Sequence, residues 1–173
     1  MASPESEAKH GASSPSGGST ARLYLKLLLA AALVVAVDQV TKSLALDRLA
    51  DGPVDLIEGA VTFNLAFNPG GVFGLGQNLT SVFLVATIVV IVGILFAVRR
   101  LADTRWVIPL GLVLGGGAGN LVDRLFRDHD GKVVDFIDLH VWPIFNLADS
   151  AIVIGVGVLL LLSFRTPRVE EEE

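Results

Sequence analysis

The chain has 173 residues, enough for one domain, and is 52% hydrophobic against 18% charged, with a mean hydropathy of +0.65. Ordinary soluble domains carry more charge, so this composition describes a membrane protein. The net charge of −5 overstates its acidity because Glu170 to Glu173 form a terminal run, and no basic block points to a nucleic-acid partner. The absence of cysteine excludes disulfides, thiolate metal sites and a cysteine nucleophile. With three histidines (His10, His129 and His140) and no HExxH, a zinc hydrolase is not expected.

Residues 1–21 are rich in Ser, Gly, Ala and Pro, which bury too little apolar surface to offset ordering entropy, so a disordered tail is expected. A first span of about 23–46 follows between Arg22 and the Asp51-Gly52-Pro53 turn. Small residues from Ala30 to Ala36 also suit a cleaved signal peptide, but the further hydrophobic spans favour a retained helix. Asp38 and Lys42 lie four apart on one face of it. A lone charge in lipid is costly, so the pair should face protein or the interface, as an ion pair with Lys42 snorkelling to the headgroups.

The outer loop 47–78 contains an alternating run: Val61, Phe63, Leu65 and Phe67 interleave with Thr62, Asn64, Ala66 and Asn68. Period two predicts a half-buried strand, with Glu58-Gly59 turning a hairpin, and Asn68-Pro69-Gly70-Gly71 ends it. Spans of about 79–98 and 106–122 come next, the latter rich in glycine for close helix packing rather than as a hinge. A second outer loop, 123–145, leads to a fourth span of about 146–164, then Arg165, Arg168 and the acidic tail 169–173. The fold class expected is an all-α integral membrane protein: four transmembrane helices with a small extracytoplasmic β-sheet element, in one domain over 22–168. Arg22, Lys26, Arg99, Arg100, Arg105, Arg165 and Arg168 all fall on the side of both termini, which the positive-inside rule makes cytoplasmic.

The outer face then gathers Asp123, Arg124, Asp128, Asp130, Asp135, Asp138 and Asp149. Asn146 is placed to cap the last span, with Asp149 in its first turn, where the helix N-terminus favours an ionised acid. Asp135 sits between Val134 and Phe136, where desolvation would raise its pKa. Two carboxylates brought together share one proton, the state that activates water with one group and protonates a carbonyl with the other. From the residues alone, two acids near a membrane surface are more often caps, ion-pair partners or solvated loop charges than a catalytic pair.

Five motifs in order narrow this choice. They are Asp38-Gln39-Val40-Thr41-Lys42, Asn68-Pro69-Gly70-Gly71-Val72-Phe73, Gly119-Asn120-Leu121-Val122-Asp123-Arg124, Val133-Val134-Asp135-Phe136-Ile137 and Phe145-Asn146-Leu147-Ala148-Asp149. With them the chain resembles the bacterial lipoprotein signal peptidases (signal peptidase type II) from its first span to its last. That resemblance implies a membrane aspartic endopeptidase that cuts prolipoproteins just before a lipid-modified cysteine. It implies Asp135 and Asp149 as the catalytic pair, and Asp38, Lys42, Asn68, Gly70, Asn120, Arg124 and Asn146 as substrate-binding or supporting residues. Asp123 matches a structural acid, and Asp138, the rival of Asp135, is taken as a loop charge. No metal or cofactor is implied. The expected partners are prolipoproteins and membrane lipids, and the expected setting is a monomer in the bacterial cytoplasmic (inner) membrane with its site on the extracytoplasmic side. The chain departs from the family pattern in its longer glycine run, in Pro69-Gly70-Gly71 after Asn68, and in the short interval between the two acids.

Two other classes compete. Charges in the first span and the glycine-rich helix would suit a small transporter or channel, although the acids collect at one end. A Ser-Lys peptidase would use Ser43 with Lys42, or Ser150 beside Asp149, but adjacent helix residues do not face each other.

Overall fold

The first apolar stretch forms α1 (Gly17–Arg48) in the computed structural model of the chain, which describes residues 17–70, 80–101 and 103–165. Helix growth is easy once nucleated, and α1 starts at Gly17, so residues 17–21 of the expected tail are helical. Residues 1–16, the acidic tail and 71–73 of the second motif lie outside the described residues. The remaining elements are β1 (Val54–Ile57), β2 (Val61–Asn68), α2 (Thr80–Ala97), α3 (Val107–Phe126), β3 (Val133–Asp138) and α4 (Leu147–Arg165). Among the described residues, four helical stretches are long and apolar enough to cross a membrane: Thr20–Arg48, Ser81–Arg100, Thr104–Phe126 and Leu147–Arg165.

The glycine-rich helix is the centre of the bundle. Half of its apolar window (50%) is buried, against 22% for the first span and 11% for the second and fourth. Its glycines let backbones meet: a Cβ at Gly115 would stand 2.7 Å from the Ala31 carbonyl oxygen of α1, and one at Gly116 would run into the Ala148 carbonyl oxygen of α4. The glycine run is used for close packing, as expected. On α1, Leu23, Leu27, Ala31, Asp38, Lys42 and Ala45 are buried, a stripe at helical spacing, while Leu25, Leu29, Leu33, Val40 and Leu44 point outward. At the end away from the sheet, Leu27, Val98, Val107 and Leu114 form a core, and Tyr24 donates to the Leu95 carbonyl at 2.6 Å.

The expected hairpin is present: β1 and β2 pair antiparallel around Gly59 (φ 72°), and the Ala60 N–H donates to Ile57 O. The apolar run around Asp135, for which no strand is predicted from the sequence, forms β3 and completes a sheet ordered β1-β2-β3. Asp135 pairs with Ala66, and Asn68, two residues further along β2, lies on the same face. A second cluster of Ala45, Leu49 and Phe136, with Phe63 and Leu147 against it, seats the sheet on the end of α1 and the start of α4. Sheet and helix ends thus converge where the motifs lie.

Candidate active site

Asp135 enters the site from the centre of β3, one of four consecutive buried residues, and is 1% exposed. In a strand, Val134 and Phe136 point to the opposite face, so Asp135 is desolvated by the packed site rather than by its sequence neighbours. Its Oδ2 accepts from Asn68 Nδ2 at 2.9 Å and its Oδ1 from Asn146 Nδ2 at 2.6 Å. Burial, and then the nearby Asp149 charge, raise its pKa to about 7, while the two amide donors pull the other way. Asn68 is oriented by its own turn: the Gly70 N–H donates to Asn68 Oδ1 at 2.8 Å, leaving the amide nitrogen for Asp135. Gly70 has φ 106° and a Cβ there would stand 2.7 Å from the Phe83 ring, so both backbone and space require glycine.

Asp149 arrives on the first turn of α4. Asn146 caps that helix, its Oδ1 accepting the Asp149 N–H at 2.9 Å, while the Asn146 N–H reaches Asp149 Oδ2 at 3.3 Å. Asn120 of α3 donates to Asp149 Oδ1 at 2.8 Å and accepts from Asn146 Nδ2 at 3.1 Å. Asn146 therefore touches both acids, and three asparagines from three elements supply the amide donors around them. Among the described residues, neither Asp135 nor Asp149 forms an ion pair. Arg124, one turn beyond Asn120, adds positive charge to both acids, and its buried Nε has no hydrogen-bond partner among the described residues.

Asp38 and Lys42 face protein, as expected, but Lys42 does not snorkel. Its side chain is fully buried, 2.9 Å from Asp38 Oδ2 and 2.8 Å from Asp123 Oδ2, and it donates to Asn120 Oδ1 at 3.0 Å. Acceptors inside the bundle offer the ammonium more than the headgroup region does. Asp123, fully buried, also meets Arg127 Nε at 3.0 Å. Gln39 and Arg127 belong to this network and are missed by the sequence reading; Arg127 stands four residues after Asp123, the helical ion-pair spacing that would have found it. Asp138 is not a loop charge: it ends β3, pairs with Thr62, accepts the His140 N–H at 2.8 Å and lies apart from the asparagine cluster. Ser43 donates to Gln39 O and Ser150 to Asn146 O, so neither hydroxyl meets Lys42.

Among the described residues, this end of the bundle holds one pair of carboxylates free of ion pairs and another locked by cations. A family model described as Signal peptidase (SPase) II matches residues 30–165, which contain every residue of both pairs. The chain belongs to the signal peptidase II family. A lipoprotein signal peptidase of Mycobacterium avium is 43% identical over 157 residues, covering 88% of this chain and 86% of that protein. One of Mycolicibacterium smegmatis is 42% identical over 166 residues, covering 94% of this chain and 70% of that protein. A solved structure described as "Bacterial membrane enzyme structure by the in meso method at 2.3 A resolution" superposes with a TM-score of 0.70 at 27% identity, covering 91% of this chain and 95% of that one. Signal peptidase II membership makes the chain an aspartic protease, built as a multi-pass membrane protein.

Proposed function

We propose that Asp135 and Asp149 are the catalytic pair of this signal peptidase, cutting prolipoproteins before their lipid-modified cysteine. The observation that carries this is the contrast in partners: Asp38 and Asp123 are bound by Lys42, whereas among the described residues Asp135 and Asp149 are held by neutral donors. Neutral donors orient a carboxylate without taking its proton or cancelling its charge, so the pair keeps one proton to share. Asp135, buried and with its pKa near 7, is the favoured carrier.

Water held between the carboxylates loses a proton to the ionised acid as its oxygen bonds to the scissile carbonyl carbon. The protonated acid passes its proton to the carbonyl oxygen, forming a neutral gem-diol. The first acid then protonates the leaving nitrogen as the C–N bond breaks, and the second recovers the diol proton, releasing a carboxylic acid and a free amine. Arg124, whose Nη2 lies beside Gly70 and whose buried Nε has no partner among the described residues, is a donor suited to a substrate backbone carbonyl. The signal helix would lie against the spans, with its extended end along the sheet.

The basic residues at the ends of the spans support both termini in the cytoplasm and the site on the outer side of the bacterial cytoplasmic membrane. A single chain supplies both acids and their donors, which supports a monomer as the working unit. The deciding experiment is cleavage of a purified lipid-modified precursor by Asp135→Asn. Loss of turnover in a folded protein is expected, and full activity would overturn the assignment.

A further inference from the structure

Lys42 is saturated. An ammonium has three N–H donors, and here they meet Asp38 Oδ2 at 2.9 Å, Asp123 Oδ2 at 2.8 Å and Asn120 Oδ1 at 3.0 Å, with no side-chain exposure. It has no donor left for substrate. What matters is what its two acidic partners hold. Asp38 Oδ1 accepts the backbone N–H of Ala148 at 3.0 Å, and Ala148 immediately precedes Asp149. Asp123 Oδ2 accepts the backbone N–H of Val134 at 3.1 Å, and Val134 immediately precedes Asp135.

We infer that Asp38, Lys42 and Asp123 form a bracket whose task is to fix the spacing of Asp135 and Asp149, acting as positioning residues rather than on substrate. The inference rests on the dyad reading above. The two acids come from β3 and α4, which meet each other through Asn146 and the backbone pairing of Ile137 with Phe145, and the bracket adds the tie that anchors both backbones to α1 and α3. One ammonium ties together the carboxylates that grip the two backbones, each one residue before its acid. The third donor of Lys42 reaches Asn120, which in turn holds Asp149, so the same nitrogen reaches the side chain as well as the backbone. The Ala148 N–H is one of the donors that a helix start leaves unpaired, and a carboxylate from another helix satisfies it. Around the bracket the charges balance: Asp38 and Asp123 against Lys42 and Arg127.

Gly119 shows how little play the arrangement has. A Cβ there would lie 2.6 Å from Asp38 Oδ2 and 3.3 Å from its Cγ, so any side chain would push the carboxylate that holds Ala148.

The test uses the full chain in proteoliposomes with a lipid-modified precursor, comparing wild type, Asp135→Asn, the double variant Lys42→Met/Asp38→Asn, and Gly119→Ala. The double variant removes one buried charge of each sign, leaving Asp123 paired with Arg127, an exchange that buried ion pairs often tolerate. The bracket predicts folded protein, KM within about twofold of wild type and kcat about a hundredfold lower, the loss expected of a reacting group displaced by roughly 1 Å. Gly119→Ala, the milder shift, should lose about tenfold in kcat with KM kept. Wild-type kcat in either folded variant overturns the bracket, and so does a failure of both to fold, which would assign the cluster to stability alone. If Asp135→Asn is fully active the dyad reading falls and the bracket with it; if it is inactive while the bracket variants turn over normally, the bracket alone falls.

Discussion

Asn146 donates its side-chain amide to Asp135 at 2.6 Å while its side-chain oxygen caps the helix that carries Asp149. With its oxygen held in the cap, the amide nitrogen is turned toward Asp135, its nearest acceptor, and toward Asn120 Oδ1 at 3.1 Å. Helix-start chemistry and the handling of the buried carboxylate are therefore one arrangement. Replacing Asn146 by Ala should remove the cap, at a cost of about 1 kcal/mol, and also Asp135's closest donor. Asn146→Asp keeps a capping oxygen but brings a third carboxylate to the pair. Both variants should lose at least about tenfold in turnover. Thermal unfolding beside turnover checks this, and wild-type turnover by Asn146→Asp would disprove the role of the donor.

The pH dependence follows from Asp135. Burial first, and the Asp149 charge second, raise its pKa from 3.8 to about 7. Turnover should fall as pH rises through that value, because the pair loses the proton it shares. The stability sign is the same. A carboxyl group whose folded pKa lies above its unfolded one contributes stability that is complete below about pH 3.8 and is lost as pH rises through about 7. Asp135→Asn should flatten that slope, so its melting temperature relative to wild type increases between acid and alkaline buffers. Parallel slopes in the two proteins would contradict a raised Asp135 pKa.

Asp138 and Asp149 separate the chemistry from its surroundings. Asp138→Asn keeps an acceptor oxygen for the His140 N–H at the end of β3, removes only the charge, and should keep turnover within about twofold, as changes outside the reacting groups do. Asp149→Asn should lose about a hundredfold or more. The reverse order in a precursor-cleavage assay would exchange their roles.

Helix packing is tested by two neighbouring glycines. A Cβ at Gly116 would strike the Ala148 carbonyl oxygen and stand 2.7 Å from Ile152 Cγ1, whereas one at Gly117 would meet only ordinary contacts, the nearest being Thr87 Cγ2 at 3.5 Å. Gly116→Ala should destabilise by about 1–3 kcal/mol, as overpacking does, while Gly117→Ala is neutral or better because alanine favours helix. Unfolding in detergent measures both, and equal effects would rule out the close approach of α3 and α4.

Much of the site can be read along the chain. The alternation from Val61 to Asn68 gives β2, Gly59 its hairpin, and Asn146 the cap of α4, because each depends on residues within a few positions of one another. The third strand is not legible in the same way. Val133 to Phe136 are buried on both faces, so the run has no alternation, and only its pairing with β2 makes it a strand. Lys42 misleads for a related reason. A lysine near the end of an apolar helix snorkels unless something inside accepts its charge, and the acceptors come from α3, some eighty residues away.

The sequence by itself determined the four spans, the hairpin, the family resemblance and the short list of acids. Local hydrophobic period, turn chemistry and motif order need no knowledge of what lies beside them. Which acids are free and which are bound was decided only by the tertiary structure. Asp38, Asp123, Asp135 and Asp149 are the same side chain in similarly apolar settings, and their roles diverge through partners brought from distant elements. Lys42 goes to Asp38 and Asp123, and asparagine amides to the other two. A buried carboxylate takes its chemistry from what donates to it, and in this fold the donors come from other strands and helices.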